Sequence, residues 1–434
     1  MDLKFQHQTV TAVVIANMIG TGVFTSLGFQ LLDIKSGFAI LLLWALGGLV
    51  AVCGSMTYAE LGSALPRSGG EYNFLTEIYH PSAGFISGWI SATIGFSAPT
   101  ALAAITFSTY LLTVFPEINN DWLRKIIACS LIIILAFIHS SSRKSSGSLQ
   151  MIFTVMKVSV IILFCFGAIL FTKNIQPVSF SPNSNDISTI FSGSFAVSLI
   201  YVSYAYTGWN AATYLSSEIE RPQKYLPLIL ISGTTIVTAL YILLNFVFLS
   251  VAPIDDMQGK IEIGFIAANS AFGGSVANFT GLVLSLLLIS TVSAMTLAGP
   301  RVLQVIGEDF KVLNILSRKR KDGIPSTAVY IQSLIAIIFI LSSSFESILV
   351  FAGFTLALNS FVTVIAVFVL RSKQPNLPRP YKTFGYPFTP LIYLALTGWT
   401  LYFVIINRPI EVLFSLGIIL SGLIFYYISN RKNY

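Results

Sequence analysis

Two glycine-centred segments hold the residues best suited to chemistry. One is Ile19-Gly20-Thr21-Gly22-Val23-Phe24 and the other is Ala205-Tyr206-Thr207-Gly208-Trp209-Asn210. Each interrupts an apolar run otherwise long enough for a continuous helix. A helix that opens inside such a run exposes N–H and C=O groups that apolar surroundings cannot satisfy. The exposed groups become ligands. Where a helix restarts, its first turn gathers free N–H donors and partial positive charge. Thr21, Gly22 and Val23 are expected to aim such donors at an anion, and glycine permits close approach because no Cβ intervenes. Where a helix stops, free carbonyls suit a cation. Met18 and Ile19 would supply them at the first break, Tyr204 and Ala205 at the second.

An anion site and a cation site a few ångströms apart fit a carboxylate and an ammonium, the two charges of an α-amino acid. Backbone atoms alone can hold such a zwitterion, and no Asp or Glu is read deep in any apolar run. Side-chain choice then falls to the flanking residues. Phe24, Tyr204, Tyr206 and Trp209 are aromatics beside the breaks, with Tyr204 suited to act as a lid. Thr207 lies within the second break, and Asn210 has an amide that can bond the open backbone or the guest.

The elements that position the breaks are membrane spans. Hydrophobic residues make up 55% of the 434 positions and charged residues 10%, against roughly 25% charged in soluble domains. Runs of about 20 apolar residues recur along the chain. Twelve spans are expected, near 9–33, 37–64, 82–114, 122–139, 148–172, 189–215, 224–250, 276–306, 326–342, 346–370, 389–406 and 410–430. The connections near 252–275 and 307–325 are expected to be loops or short surface helices. Five spans separate the two breaks. Spans 1–5 (9–172) then correspond to spans 6–10 (189–370), and the odd number inverts the second copy. Paired breaks in an inverted repeat point to a substrate site at the membrane midplane. Spans 11 and 12 (389–430) stand outside the repeat, and residues 1–434 form one transmembrane domain.

Lysine and arginine orient the chain. With a cytoplasmic N-terminus, eighteen of the 25 fall on the inside, including Lys4, Arg143, Lys144, Lys311, Lys321 and Lys432. Six fall outside, and Lys157 lies within a span. The net charge of +7 therefore reads as topology and contact with anionic lipid, not nucleic-acid binding. Both termini are expected in the cytoplasm, with no cleaved signal peptide. Cys53, Cys129 and Cys165 lack ligand spacing, which argues against disulfides and metal.

Lys157 is the one basic residue inside a span. Burying its charge costs about 2.5–3.5 kcal/mol on insertion scales, so it is expected to bear on the cycle. It could exchange a proton, or stand as a fixed ammonium between carbonyls of span 1 and hydroxyls of span 8. Ser290, Thr291 and Ser293 are the candidate hydroxyls, with Ser290 and Ser293 assigned to coupling alongside Lys157. Arg67 and Glu71 are expected to pair at the cytoplasmic surface, and Glu60 to be a plain interfacial charge.

These motifs resemble the amino acid–polyamine–organocation permeases, and within them bacterial relatives of the L-type amino acid transporters. The first break is similar to that family's carboxylate-binding motif, with Thr21 and Gly22 matching its pair. Tyr204 to Asn210 resembles its sixth-helix motif. Pro66-Arg67-Ser68-Gly69-Gly70-Glu71-Tyr72 and Ser217-Glu218-Ile219-Glu220-Arg221-Pro222 look like its loops after helices 2 and 6. Lys157 matches a lysine that stands in for sodium in sodium-independent members. The resemblance implies an all-α LeuT-type fold with helices 1 and 6 broken. It implies alternating-access, sodium-independent amino acid transport across the plasma (inner) membrane, as an exchanger or a proton symporter. No cofactor is expected. Phe115 to Asp121 has no cysteine, so no disulfide-linked heavy subunit is expected. Two other transport-side readings are an amine or polyamine permease, which would need buried acids, and a nutrient receptor that no longer transports. An enzyme is not expected: HExxH, GxSxG and paired intramembrane carboxylates do not occur, and His7, His80 and His139 are scattered.

Overall fold

A computed structural model describes residues 6–141, 147–310, 313–320 and 324–431. Lys4, Arg143, Lys144, Lys311, Lys321 and Lys432, counted above for orientation, lie outside the described residues. The regular elements of the described chain are helices joined by short irregular segments. In order the helices are α1 (His7–Met18), α2 (Gly22–Gln30), α3 (Gly37–Ala64), α4 (Glu71–Ile78), α5 (Pro81–Ile90), α6 (Ser97–Thr113), α7 (Asp121–Ser141), α8 (Gly147–Phe171), α9 (Ser184–Ile190) and α10 (Gly193–Ala205). They continue as α11 (Pro222–Val251), α12 (Ile254–Met257), α13 (Ile263–Phe272), α14 (Gly274–Asp309), α15 (Asn314–Ser317), α16 (Ser326–Ser342), α17 (Phe345–Lys373), α18 (Phe388–Asn407) and α19 (Pro409–Arg431). A π turn, Ser91–Gly95, joins α5 to α6, and a 3-10 helix, Ala211–Glu218, follows α10.

Ten helical spans among the described residues are long and apolar enough to cross a membrane, and the pair α9–α10, bent by 68°, makes an eleventh. The twelfth expected span is α16, whose 17 residues fall at the short limit for crossing. The helices agree with the all-α, LeuT-type architecture expected from the sequence. The expected loops 252–275 and 307–325 contain the short helices α12, α13 and α15.

Lipid supplies no hydrophobic drive between helices, so small residues decide where backbones meet. On α3, a Cβ at Gly47 would lie 2.3 Å from Val202, and one at Gly48 2.2 Å from Thr238. These two glycines let α3 lie against α10 and α11. The fully buried Trp44 fills the same seam, its ring 5.5 Å from Tyr241 and 6.1 Å from Tyr206.

Glu60 departs from the expectation. It is fully buried, because the chain after α17 folds back over the end of α3. Arg371 binds both its oxygens at 2.8 and 2.7 Å, and Arg379 lies 3.6 Å away. The Thr383 N–H and hydroxyl each donate to it at 2.7 Å. Removing one partner of a buried pair costs about 3–5 kcal/mol. Glu60→Ala is expected to lose stability on that scale, seen as a lowered thermal midpoint of the detergent-solubilised protein. A midpoint unchanged from the parent would show that the arginines find water instead.

Candidate functional site

Both glycine segments are open. α1 ends at Met18, and α2 restarts at Gly22. Gly20 N–H turns back to the Met18 carbonyl at 2.8 Å, and the next backbone bond is Phe24 N–H to Thr21 at 3.0 Å. The N–H groups of Thr21, Gly22 and Val23 have no protein acceptor among the described residues. α10 ends at Ala205, and residues 206–210 turn through Gly208, whose φ is +98°. A Cβ at Gly208 would sit 2.8 Å from the Asn17 backbone, so the left-handed turn and the close approach both require glycine. Beyond the turn the chain runs as a 3-10 helix, not the α-helix that a span over 189–215 implied.

Gly22 is where the breaks touch. A Cβ there would fall 2.5 Å from Ala205 Cα and 2.6 Å from its Cβ. Its lack of a side chain serves contact between the two breaks. Gly20 differs, since the nearest atoms to a Cβ there are 3.9 and 4.0 Å away.

A cavity of about 620 Å³ opens beside the breaks. Nine of the eleven expected binding residues line it: Met18, Thr21, Gly22, Tyr204, Ala205, Tyr206, Thr207, Trp209 and Asn210. Ile19 and Val23 pack into the apolar core instead, as does Phe24, whose carbonyl accepts from Tyr110 at 3.2 Å. The lining extends past Thr9, Ser68, Glu218 and Arg301, towards the face that carries the N-terminus. On the opposite side Tyr204 joins a plug in which Phe29 stacks on Phe345 at 5.7 Å and tilts against Tyr201 at 6.0 Å. Tyr201 donates to Glu346 at 2.7 Å, and Arg408 pairs with the same carboxylate.

The four carbonyls expected to face a cation already have protein donors. Met18 accepts from the Tyr241 hydroxyl at 2.6 Å, and Ala205 lies 3.2 Å from the same hydroxyl. Ile19 accepts from Lys157 at 3.1 Å. Tyr204 accepts the Thr207 N–H at 3.0 Å and its hydroxyl at 2.7 Å. In apolar surroundings an open carbonyl draws the nearest donor. The carbonyls of Ala16, Asn17 and Ser203 receive no donor in place of their usual helical one, because Gly20 N–H turns to Met18, Thr21 N–H bonds nothing and Thr207 N–H turns to Tyr204. Of these residues Asn17 and Ser203 line the cavity. Tyr241, bridging the breaks, escaped the sequence reading. Its only signal was a hydroxyl in an apolar run, which must find a partner when buried.

Lys157 is buried, 6% exposed. Its ammonium donates to Ile19 O and, at 2.9 Å, to Thr291 Oγ1. The other two hydroxyls turn elsewhere, as successive helical residues must. Ser290 donates to Leu287 O at 2.6 Å, and Ser293 meets His139 Nε2 at 2.8 Å. Ser290 and Ser293 are therefore not ligands of the lysine.

Arg67 and Glu71 do not pair. Arg67 is exposed, while Glu71 turns inward, 1% exposed. It accepts from Tyr58 at 3.1 Å, from Tyr214 at 2.6 Å and from the Asn210 amide. Gly69 and Gly70, at φ +122° and +53°, make the turn that sends it there. Trp209 sets its ring edge-on to Tyr58 at 4.6 Å. The three cysteines are free, and no group of three metal-ligating side chains occurs among the described residues.

The amino acid permease family model matches residues 5–427. The chain is 27% identical to the b(0,+)-type amino acid transporter 1 of Mus musculus, over 96% of this chain and 85% of that one. It is also 27% identical to the large neutral amino acids transporter small subunit 2 of Homo sapiens, over 96% and 78% of the two chains. The chain belongs to the amino acid permease family.

The two glycines of the first break separate packing from binding. Gly22→Ala is expected to lower the thermal midpoint by an amount equivalent to about 1–3 kcal/mol, the usual cost of overpacking. Gly20→Ala is expected to leave it within about 0.5 kcal/mol. Equal midpoints for the two variants would contradict the contact at Gly22.

Proposed function

We infer that this amino acid permease carries α-amino acids through a membrane by alternating access, with the two breaks as its substrate site. The observation that supports this most is the row of three unpartnered N–H groups on Thr21, Gly22 and Val23, beside an unwound second segment. A carboxylate is the guest such donors favour. The amino group would take the carbonyls of Asn17 and Ser203, with the remaining lone pairs at Met18, Ile19, Tyr204 and Ala205. Tyr204, Tyr206, Thr207, Trp209 and Asn210 would shape the space for the side chain. The names of the relatives, both amino acid transporters, agree with this assignment.

Lys157 would act as a fixed cation. It ties the first break to α14, where a bound metal cation could otherwise join carbonyl and hydroxyl. That supports sodium-independent transport, as an exchanger or a proton symporter. The excess of lysine and arginine on the side of both termini supports a cytoplasmic N- and C-terminus in the plasma (inner) membrane. The cysteine-free outer loop supports a transporter that works without a disulfide-linked heavy subunit. The corresponding repeat units would be residues 9–172 and 189–370, with 389–430 outside them.

Uptake of radiolabelled amino acids into proteoliposomes tests the reading, with and without sodium, internal amino acid and a pH gradient. Uptake is expected without sodium; acceleration by internal substrate identifies exchange, and acceleration by the gradient identifies symport. Binding with no flux, or uptake of polyamines alone, would overturn it. Lys157→Ala removes two charge-assisted hydrogen bonds, each worth about 1.5–3 kcal/mol. It should insert normally and turn over at least about tenfold more slowly. Unchanged turnover and an unchanged pH profile would show the lysine to be incidental.

A further inference from the structure

Glu71 is a fully buried carboxyl with no cation beside it. Every group that holds it is a neutral donor. Tyr58 reaches it from α3, and Asn210 and Tyr214 from the segment after the second break. Tyr393 of α18 is the further titratable group that faces it. Arg67, four residues earlier, is exposed, and neighbouring Tyr72 donates to Asp309 of α14. No lysine or arginine forms an ion pair with Glu71 among the described residues. Glu218 and Arg301 line the same cavity without bonding to it.

This carboxyl also sits where two moving parts would meet. The loop that carries it docks on the 3-10 helix after the second break. Gly70 N–H donates to Thr213 O at 3.3 Å, and a Cβ at Gly70 would lie 2.9 Å from Thr213 and Tyr214 atoms. The Ser68 and Ser217 hydroxyls are 2.5 Å apart. Glu71 is thus the polar centre of a contact between α3, α4 and residues 206–218, on the wall of the cavity path.

We propose that Glu71 is a protonatable latch of the gate on the N-terminal face. With a proton on Oε2, donated to the Tyr214 hydroxyl while Oε1 keeps its Tyr58 and Asn210 donors, residues 206–218 stay seated on α3 and α4. When the proton leaves to water in the cavity, the bare charge without a cation drives the segment off. Burial pushes the carboxyl above the ordinary carboxylate range, against the pull of its Tyr214, Tyr58 and Asn210 donors. A group whose pKa is raised in the seated state favours that state at low pH, and the preference is lost as pH rises through the raised value. The latch rests on the transport reading and adds to it a positioning residue through which proton and gate are linked.

The gate can be read without transport. Ser68→Cys with Ser217→Cys replaces two hydroxyls 2.5 Å apart by thiols that can be oxidised to a disulfide while the segment is seated. Their oxidation is followed from about pH 6 to about pH 9, in the Glu71 parent and in Glu71→Gln, which shares the thiol chemistry. Relative to Glu71→Gln, cross-linking in the parent is expected to fall as pH rises, by at most about tenfold per pH unit for one proton. Tyr214→Phe removes a donor that favours the charged form, so it should move the midpoint to higher pH. Identical pH dependence in the parent and Glu71→Gln overturns the proposal. So does a Tyr214→Phe midpoint that stays or falls, which decides the matter even if Glu71→Gln does not fold. In proteoliposomes Glu71→Gln should flatten the pH profile of kcat and leave KM unchanged. If the parent moves no amino acid, the transport reading fails, while the cross-linking still decides the latch.

Discussion

Peptide groups cannot be left bare in hydrocarbon, and the rest of this structure follows from that. Where α1 gives way to α2, and where α10 ends, the backbone ladder is interrupted at two adjoining places. Each freed group must find a protein partner, water or a guest. Four of the carbonyls found protein partners, while those of Asn17 and Ser203 stay open to the cavity: Tyr241 and Lys157 reach into the first break, and Tyr241 and Thr207 serve the second. The N–H groups of Thr21, Gly22 and Val23 did not. That asymmetry gives the breaks an unmet demand for negative charge, beside a cavity large enough for a small zwitterion.

Holding two unwound segments together needs close contact and fixed braces. The contact is Gly22 on Ala205 and Gly208 on Asn17. The braces differ in chemistry. Tyr241 spans both breaks through one hydroxyl, whereas Lys157 ties the first break to α14 with a charge. The two ends of the cavity are built differently as well. Towards the N-terminal face its wall carries the buried Glu71. Away from it the path is closed by stacked aromatics and the Glu346–Arg408 pair.

Most of the fold was legible in the sequence, because length and apolarity alone define a membrane span. The breaks were legible for the same reason: Gly20, Gly22 and Gly208 sit where a continuous helix would be expected. Lys157 could be picked out because a lone charge in an apolar run must have a partner. What remained hidden was direction. Sequence spacing could not tell that Thr291, rather than Ser290 or Ser293, faces the lysine. Nor could it tell that Glu71 turns in while Arg67 turns out, since that depends on the left-handed turn at Gly69 and Gly70. Glu60 was misread because its partners Arg371, Arg379 and Thr383 lie more than 300 residues away. The π turn at Ser91–Gly95, on the cavity wall, left no periodic trace.

The central claim is that bare N–H groups of the first break hold a carboxylate. Equilibrium binding of an amino acid and of its carboxamide to the purified protein tests this directly, because the two differ only in the group those donors would meet. Loss of charge-assisted hydrogen bonds worth about 2–3 kcal/mol corresponds to roughly a hundredfold weaker binding, and the carboxamide should show it. Equal affinity for acid and amide would contradict the account.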